Sequence, residues 1–295
     1  MSRQALLPPG KLLRPALFLS AAAAVGMPCA DAVAAALSVE YLHVGSLVHD
    51  DVIDGDVLRR GRQSVVARYG TANAIVTGDA LMMATFQTLA EHTGVPDGRL
   101  LAVVRTLAQA GMDLCRGQAM ENSLHADLDC GLDRYREMIS LKTGALFRGA
   151  CLGGVLLAGG SDREQAAVRR YSDRLGAAFQ MADDLLLLSD ADASGKSPLS
   201  DLNNNRPTFP LLVCWQIAGQ AARQRLAEAV SGALAADEAL ATVRELLDSS
   251  GALEQCRAEA RAQAVLAKRA LRILRAGPGR DALAAVADLA VDRTQ

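Results

Sequence analysis

The first residues in this chain that could do chemistry are three aspartates at the end of an apolar run. In Tyr41–Gly61, YLHVGSLVHDDVIDGDVLRRG, Asp50 and Asp54 stand four apart with Asp51 beside the first, and Arg59 and Arg60 follow Asp54 by five and six residues. Residues four apart share one face of an α-helix, so Asp50 and Asp54 point the same way. Two carboxylates one turn apart repel each other unless a cation lies between them. Hard oxygen ligands suit Mg²⁺, which binds through one or two carboxylates and completes its shell with water and phosphate oxygens. The planar guanidiniums of Arg59 and Arg60 are suited to holding phosphate. A second acidic stretch, FQMADD at Phe179–Asp184, places Gln180, Asp183 and Asp184 at i, i+3 and i+4. Both stretches are embedded in apolar sequence, LHVGSLV before the first and LLLL after the second. Burying a carboxylate without a partner costs several kcal/mol. Something cationic must therefore meet them, and the expectation is a cavity walled by both acidic helices.

The elements that must position these residues are helical. Of the 295 residues 51% are hydrophobic, mostly Ala, Leu and Val, and only 3% are aromatic, a composition that favours closely packed helices. No sustained period-2 run appears, so a sheet is not expected. The periodicity predicts a loose leader over residues 1–10, a helix from about Leu12 to Gly26, and a helix capped by Asp31 that carries the first aspartates and is closed by Gly55. A polar loop over 56–64 then carries the arginines. Further helices are predicted at 72–92, 99–126, 133–158 and 163–189, the last opened by the capping box Ser161–Glu164. A breaker-rich segment at 190–207 reads as a functional loop or lid. Helices resume at 209–219, 221–231, 235–248, 252–275 and 280–291, and no linker divides the chain.

Composition excludes several classes of function. The net charge of -2 and the lack of a basic tract argue against a nucleic-acid partner. Six cysteines without a CxxC pair indicate neither a zinc site nor a disulfide framework, which fits a reducing cytosol. Lys11–Ala30 mimics a secretory signal, but its apolar run is far short of the ~20 residues of a membrane span. The expectation is a soluble protein with no transmembrane segment. Lysine is scarce, with four against 27 arginines, and Lys11, Lys142 and Lys196 all fall in stretches rich in chemistry.

Taken in order, the motifs GKLLRP at 10–15, HDDVID at 49–54, RRG at 59–61, GQ at 117–118, KTG at 142–144, FQMADD at 179–184, and then Gly195, Lys196, Asp201, Arg206 and Thr208 resemble the trans-isoprenyl diphosphate synthases of the polyprenyl synthetase family. The resemblance implies an all-α, single-domain bundle over 1–295, with about ten helices around a central cavity, in a cytoplasmic homodimer. It implies that an allylic diphosphate loses pyrophosphate, that the double bond of isopentenyl diphosphate attacks the resulting carbocation, and that a proton then leaves. Such chemistry needs stabilised leaving-group charge rather than a protein nucleophile. By resemblance Asp50 and Asp54 hold two Mg²⁺ ions and Asp183 a third, bridged by the allylic diphosphate, with Asp51 and Asp184 in support. Arg59, Lys142 and Lys196 resemble the cations on that diphosphate, with Thr143 and Gln180 nearby and Arg206 where a lysine is usual. Lys11, Arg14, His43 and Arg60 resemble the pocket for isopentenyl diphosphate.

Gly45 and Ser46 lie about one helical turn before Asp50, where large aromatic residues in the family stop elongation early. Their small size leans towards products of C25 to C50, with C20 as the alternative, and Met82, Met83 and Phe86 are candidate deeper stops. Leu187 occupies the position of a third aspartate, which raises the alternative of a regulatory subunit. A terpene cyclase is the other alternative. Lys11, Arg14, His43 and Arg60 argue against a cyclase, which needs no second substrate.

Overall fold

The computed structural model describes residues 1–186 and 206–292. Lys196 and Leu187, like Gly195 and Asp201, lie outside the described residues. Helix α1 is Ser2–Leu6, α2 Leu13–Ala24 and α3 Cys29–Asp54, followed by a hairpin of β1, Leu58–Arg59, and β2, Arg62–Gln63. Next come α4 Val65–Tyr69, α5 Thr71–Ala90, α6 Asp97–Ser123 and α7 Gly131–Ile139. A π-helical turn over Ser140–Gly144 joins α7 to α8, Ala145–Ala158, and α9 is Asp162–Leu186. The rest is α10 Phe209–Ile217, α11 Gln220–Val230, α12 Ala236–Ser250, α13 Ala252–Ala270 and α14 Pro278–Val291.

The all-α expectation holds, and the periodicity places most helices within a few residues. Gly55 closes α3 in the left-handed conformation, at φ 68°. The box at Ser161 forms as expected: Ser161 N–H donates to Glu164 Oε2 at 2.7 Å, and Glu164 N–H to Ser161 Oγ at 3.4 Å. Four local expectations are corrected. The leader contains α1, which packs on α3 and α5. Helix α3 starts at Cys29 rather than after Asp31, because Pro28 already holds the φ of -60° that suits a helix start, and Asp31 instead sits in the positive first turn. The loop over 56–64 is a hairpin with Leu58 opposite Gln63 and Arg59 opposite Arg62. The helix expected at 133–158 is interrupted by the π turn.

The chain divides into two compact units. The first comprises Met1–Met112, Ala145–Ser172 and Ala270–Ala285. In it α3 packs along α5 and α2, and α2 packs along α8. The approach of α2 to α8 is close because Gly154 has no side chain; a Cβ there would run into the Phe18 carbonyl. The second unit comprises Asp113–Gly144, Asp173–Arg269 and Val286–Gln295. Its core is built on Tyr135 and Phe209, stacked with ring centroids 5.6 Å apart, with Met181, Leu226, Val243 and Leu247 around them.

Two helical stretches, Cys29–Asp54 and Leu128–Ala158, are long and apolar enough to cross a membrane by length and composition. Their most apolar windows are 61% and 67% buried inside the protein, as in the core helices of soluble proteins.

Candidate functional site

In the first unit, α3 separates its aspartates by burial. Asp50 and Asp54 are half-buried on one face, while Asp51 is only 2% exposed. A buried carboxylate needs a partner, and the hairpin supplies it: Arg59 Nε donates to Asp51 Oδ1 at 2.7 Å, and Arg59 Nη2 donates to Asp56 Oδ2 at 3.1 Å. The hairpin turns at Arg60 and Gly61, whose φ values are 53° and 71°. Positive φ at both central residues is the type I′ geometry that matches strand twist. Arg60 thus occupies a left-handed conformation that most residues avoid. Its guanidinium lies against Gly10, where a Cβ would collide with it, so the glycine of the GKLLRP motif makes room for an arginine of the RRG motif. A small cleft next to the hairpin is lined by Leu7, Val44, Leu47, Asp51, Arg59 and Arg60 among others.

Arg14 and His43 meet, with Arg14 Nη1 3.0 Å from His43 Nε2. Arginine can only donate, so His43 Nε2 is the acceptor and its proton rests on Nδ1. The Arg14 guanidinium also lies over the Phe147 ring, 4.9 Å from its centroid. Burial, then the charges of Arg14, Arg60 and Arg59, hold the imidazole well below its ordinary pKa, so it stays neutral. Glu40, a turn earlier on α3, is buried, and burial raises its pKa against the pull of Arg14 and Arg60. Lys11 is exposed ahead of α2.

The state of His43 predicts a pH effect. In the unfolded chain the ring takes up a proton near pH 6.5, whereas the folded ring resists it. The unfolded state therefore binds more protons below that value. The stabilisation is fully present above about pH 6.5 and is lost as pH falls. His43→Gln keeps an acceptor for Arg14 but does not titrate. Wild type should lose more melting temperature than His43→Gln between about pH 7.5 and 5.5. Equal losses would mean that His43 does not titrate as described.

In the second unit, adjacent aspartates again differ. Asp183 is half-buried, and Asp184 is 4% exposed. Asp184 Oδ2 accepts from Tyr135 Oη at 2.6 Å and from Phe209 N–H at 2.8 Å, and its Oδ1 accepts from Gln180 Nε2 at 2.8 Å. Phe209 is the first residue of α10, whose own cap residue Thr208 makes no side-chain capping bond, so Asp184 places negative charge at that helix N-terminus. Burial and the Asp184 charge push the Tyr135 phenol well above its ordinary pKa, which keeps it a donor. Thr143 Oγ1 donates to Gln180 Oε1 at 2.6 Å, which links the KTG motif to this network. The π turn carries Lys142 to Glu121, and Arg206 Nη2 lies 3.7 Å from the same Glu121 oxygen.

Sequence reasoning missed Asp56, Glu40, Tyr135 and Glu121. Asp56 had a local signal, standing three residues before Arg59. For Tyr135 and Glu121 the partners lie 49 and 21 residues away, beyond the reach of periodicity. Gly45 packs closely: a Cβ there would lie 3.0 Å from the Gly78 carbonyl and 3.1 Å from Met82 Cγ, so it marks where α3 touches α5. Ser46 is 8% exposed and donates to the His43 carbonyl at 2.7 Å, while Met83 is 62% exposed.

Comparison with known proteins points to the same family. The Polyprenyl synthetase family model matches residues 1–247. The short chain isoprenyl diphosphate synthase of Methanothermobacter thermautotrophicus is 33% identical over 287 residues, covering 96% of this chain and 86% of that protein. The crystal structure of geranylgeranyl pyrophosphate synthetase from Pyrococcus horikoshii superposes with a TM-score of 0.91 at 29% identity, over 99% of this chain and 88% of that one. A polyprenyl synthase from Caulobacter crescentus, complexed with calcium and isoprenyl diphosphate, superposes with a TM-score of 0.90 at 31% identity, over 98% and 87%. With ordered motifs, fold and sequence in agreement along most of its length, the chain belongs to the polyprenyl synthetase family and is a prenyltransferase of the trans-isoprenyl diphosphate synthase kind.

Proposed function

We propose that this prenyltransferase is Mg²⁺-dependent, condenses isopentenyl diphosphate with an allylic diphosphate, and works in the cytoplasm as a homodimer. The observation that carries the metal reading is the division of labour on α3. Asp51 is turned inward to Arg59, which leaves Asp50 and Asp54 one turn apart on another face. Among the described residues no group of three or more His, Cys, Asp or Glu could hold a metal ion. Two carboxylates one turn apart fit an ion that takes only one or two protein carboxylates and draws its other ligands from water and diphosphate. The relative crystallised with calcium and isoprenyl diphosphate supports such a pairing. Bound Mg²⁺ supplies positive charge to the departing pyrophosphate. In this reading Asp50, Asp54 and Asp183 are ligands, and Arg59, Lys142, Lys196 and Arg206 are the fixed cations on the diphosphates. Arg14, oriented by the His43 lone pair and the Phe147 ring, holds isopentenyl diphosphate with Lys11 and Arg60. Exposed apolar residues on α3 (Val33, Leu37) and on α5 (Val76, Met83) support a dimer, and light scattering should give twice the 31.0 kDa of one chain.

The deciding experiment incubates purified protein with labelled isopentenyl diphosphate and C5, C10 or C15 allylic primers, with and without Mg²⁺, and sizes the products. Metal-dependent incorporation is the expected result. Pyrophosphate release without incorporation would favour a cyclase, and no turnover with any primer would favour a regulatory subunit.

The small side chain of Ser46 supports products of C25 to C50, whereas the space beside Gly45 is taken up by α5. Met82 favours the C20 alternative, because it supplies beside Gly45 the bulk that Gly45 itself lacks. Met82→Ala should lengthen the product and Ser46→Phe should shorten it. Gly45→Phe should lower stability by about 1–3 kcal/mol through overpacking against the α5 backbone. Unchanged product sizes in both Met82→Ala and Ser46→Phe would place the length-determining wall elsewhere.

A further inference from the structure

Glu121 is 8% exposed, and its carboxylate is gripped from several sides. Gln118, one turn earlier on α6, donates to Glu121 Oε2 at 3.2 Å and to Asn122 Oδ1 at 3.0 Å. Lys142 Nζ donates to the same Oε2, and Arg206 Nη2 lies 3.7 Å from it. The side chains of Lys142 and Arg206 are only 18% and 16% exposed. The backbone is built around this contact. A Cβ on Gly117 would run into the backbone of Leu141 and Lys142, so only glycine lets the π turn approach α6 this closely. Single π turns inside α-helices are rare and concentrate at functional sites.

We propose that Glu121 is a positioning residue whose carboxylate sets where Lys142 and Arg206 stand as diphosphate-binding cations. This rests on the reading of those two residues given above. The reason is entropic. A lysine or arginine free to rotate must be ordered when it captures a phosphate oxygen, and that ordering weakens capture. Glu121 orders both beforehand. The Lys142 ammonium carries three N–H donors, one of which goes to the carboxylate.

Electrostatics alone predicts the opposite sign, which makes the idea testable. A carboxylate beside an anion site repels the anion, so removing its charge would strengthen binding if position did not matter. The probe is inorganic pyrophosphate with Mg²⁺, titrated calorimetrically into wild type, Glu121→Gln, Glu121→Asp and Lys142→Ala. Glu121→Gln keeps shape and an acceptor but loses the charge that fixes two cations. It should bind pyrophosphate roughly 10-fold more weakly, Glu121→Asp should recover part of the loss, and Glu121→Gln should add little on a Lys142→Ala background. Unchanged or tighter binding by Glu121→Gln overturns the proposal, as does a loss that simply adds to that of Lys142→Ala. Circular dichroism of each variant separates these outcomes from misfolding. If Lys142→Ala binds pyrophosphate as well as wild type does, the diphosphate role of Lys142 fails, and the positioning role of Glu121 falls with it.

Discussion

Asp50→Asn and Asp54→Asn should each lower isopentenyl diphosphate incorporation by at least ~10²-fold, the scale of losing one strong electrostatic stabiliser of developing charge. Asparagine keeps the size of the side chain and one acceptor oxygen but carries no charge. Both positions are half-buried and stand on the outer end of α3, so the substitutions should leave the fold intact. Asp51→Asn should behave differently. Asp51 is buried against Arg59, and removal of its charge leaves a guanidinium whose geometry it helps to fix. Its deficit should come with a loss of stability. Full turnover in Asp50→Asn or in Asp54→Asn, or turnover undiminished by excess chelator, would refute the metal assignment.

The second large effect separates two neighbours in one motif. Asp184→Ala should destabilise the protein by roughly 3–5 kcal/mol, because it strands the buried Tyr135 hydroxyl and the first amide of α10 and removes the acceptor of Gln180 Nε2. Hydrogen bonds to a charged acceptor contribute about 1.5–3 kcal/mol each, and they do not add fully in one network. Asp183→Ala should change stability by no more than about 1 kcal/mol yet lower turnover by ~10²-fold. Chemical denaturation of the two variants, with turnover measured in parallel, decides the matter. Similar stability losses in both would mean that the two aspartates are not divided between metal and fold.

Most of the helices and their order were legible in the sequence, because what encodes them is local. Apolar spacing near 3.6, the Ser161–Glu164 box and the Gly55 stop each act within a turn or two of chain. Spacing alone also put Asp50 and Asp54 on one face. Family resemblance added the roles, residue by residue. Which aspartate of each pair turns inward was decided only by tertiary structure, because the partners that neutralise Asp51 and Asp184 come from other elements: the hairpin at Arg59, Tyr135 on α7 and the start of α10. The hairpin itself escaped notice because its turn is Arg60–Gly61, and arginine at positive φ has no composition signal. Gly45 looked like open space because a glycine in sequence says only that a side chain is missing. Here the missing volume is filled by α5, through the Gly78 carbonyl and the Leu81 and Met82 side chains. Glu121 was invisible for the same reason. The charge that it balances sits 21 residues away and is brought to it by one extra residue in a helical turn, a register that packing sets and periodicity does not.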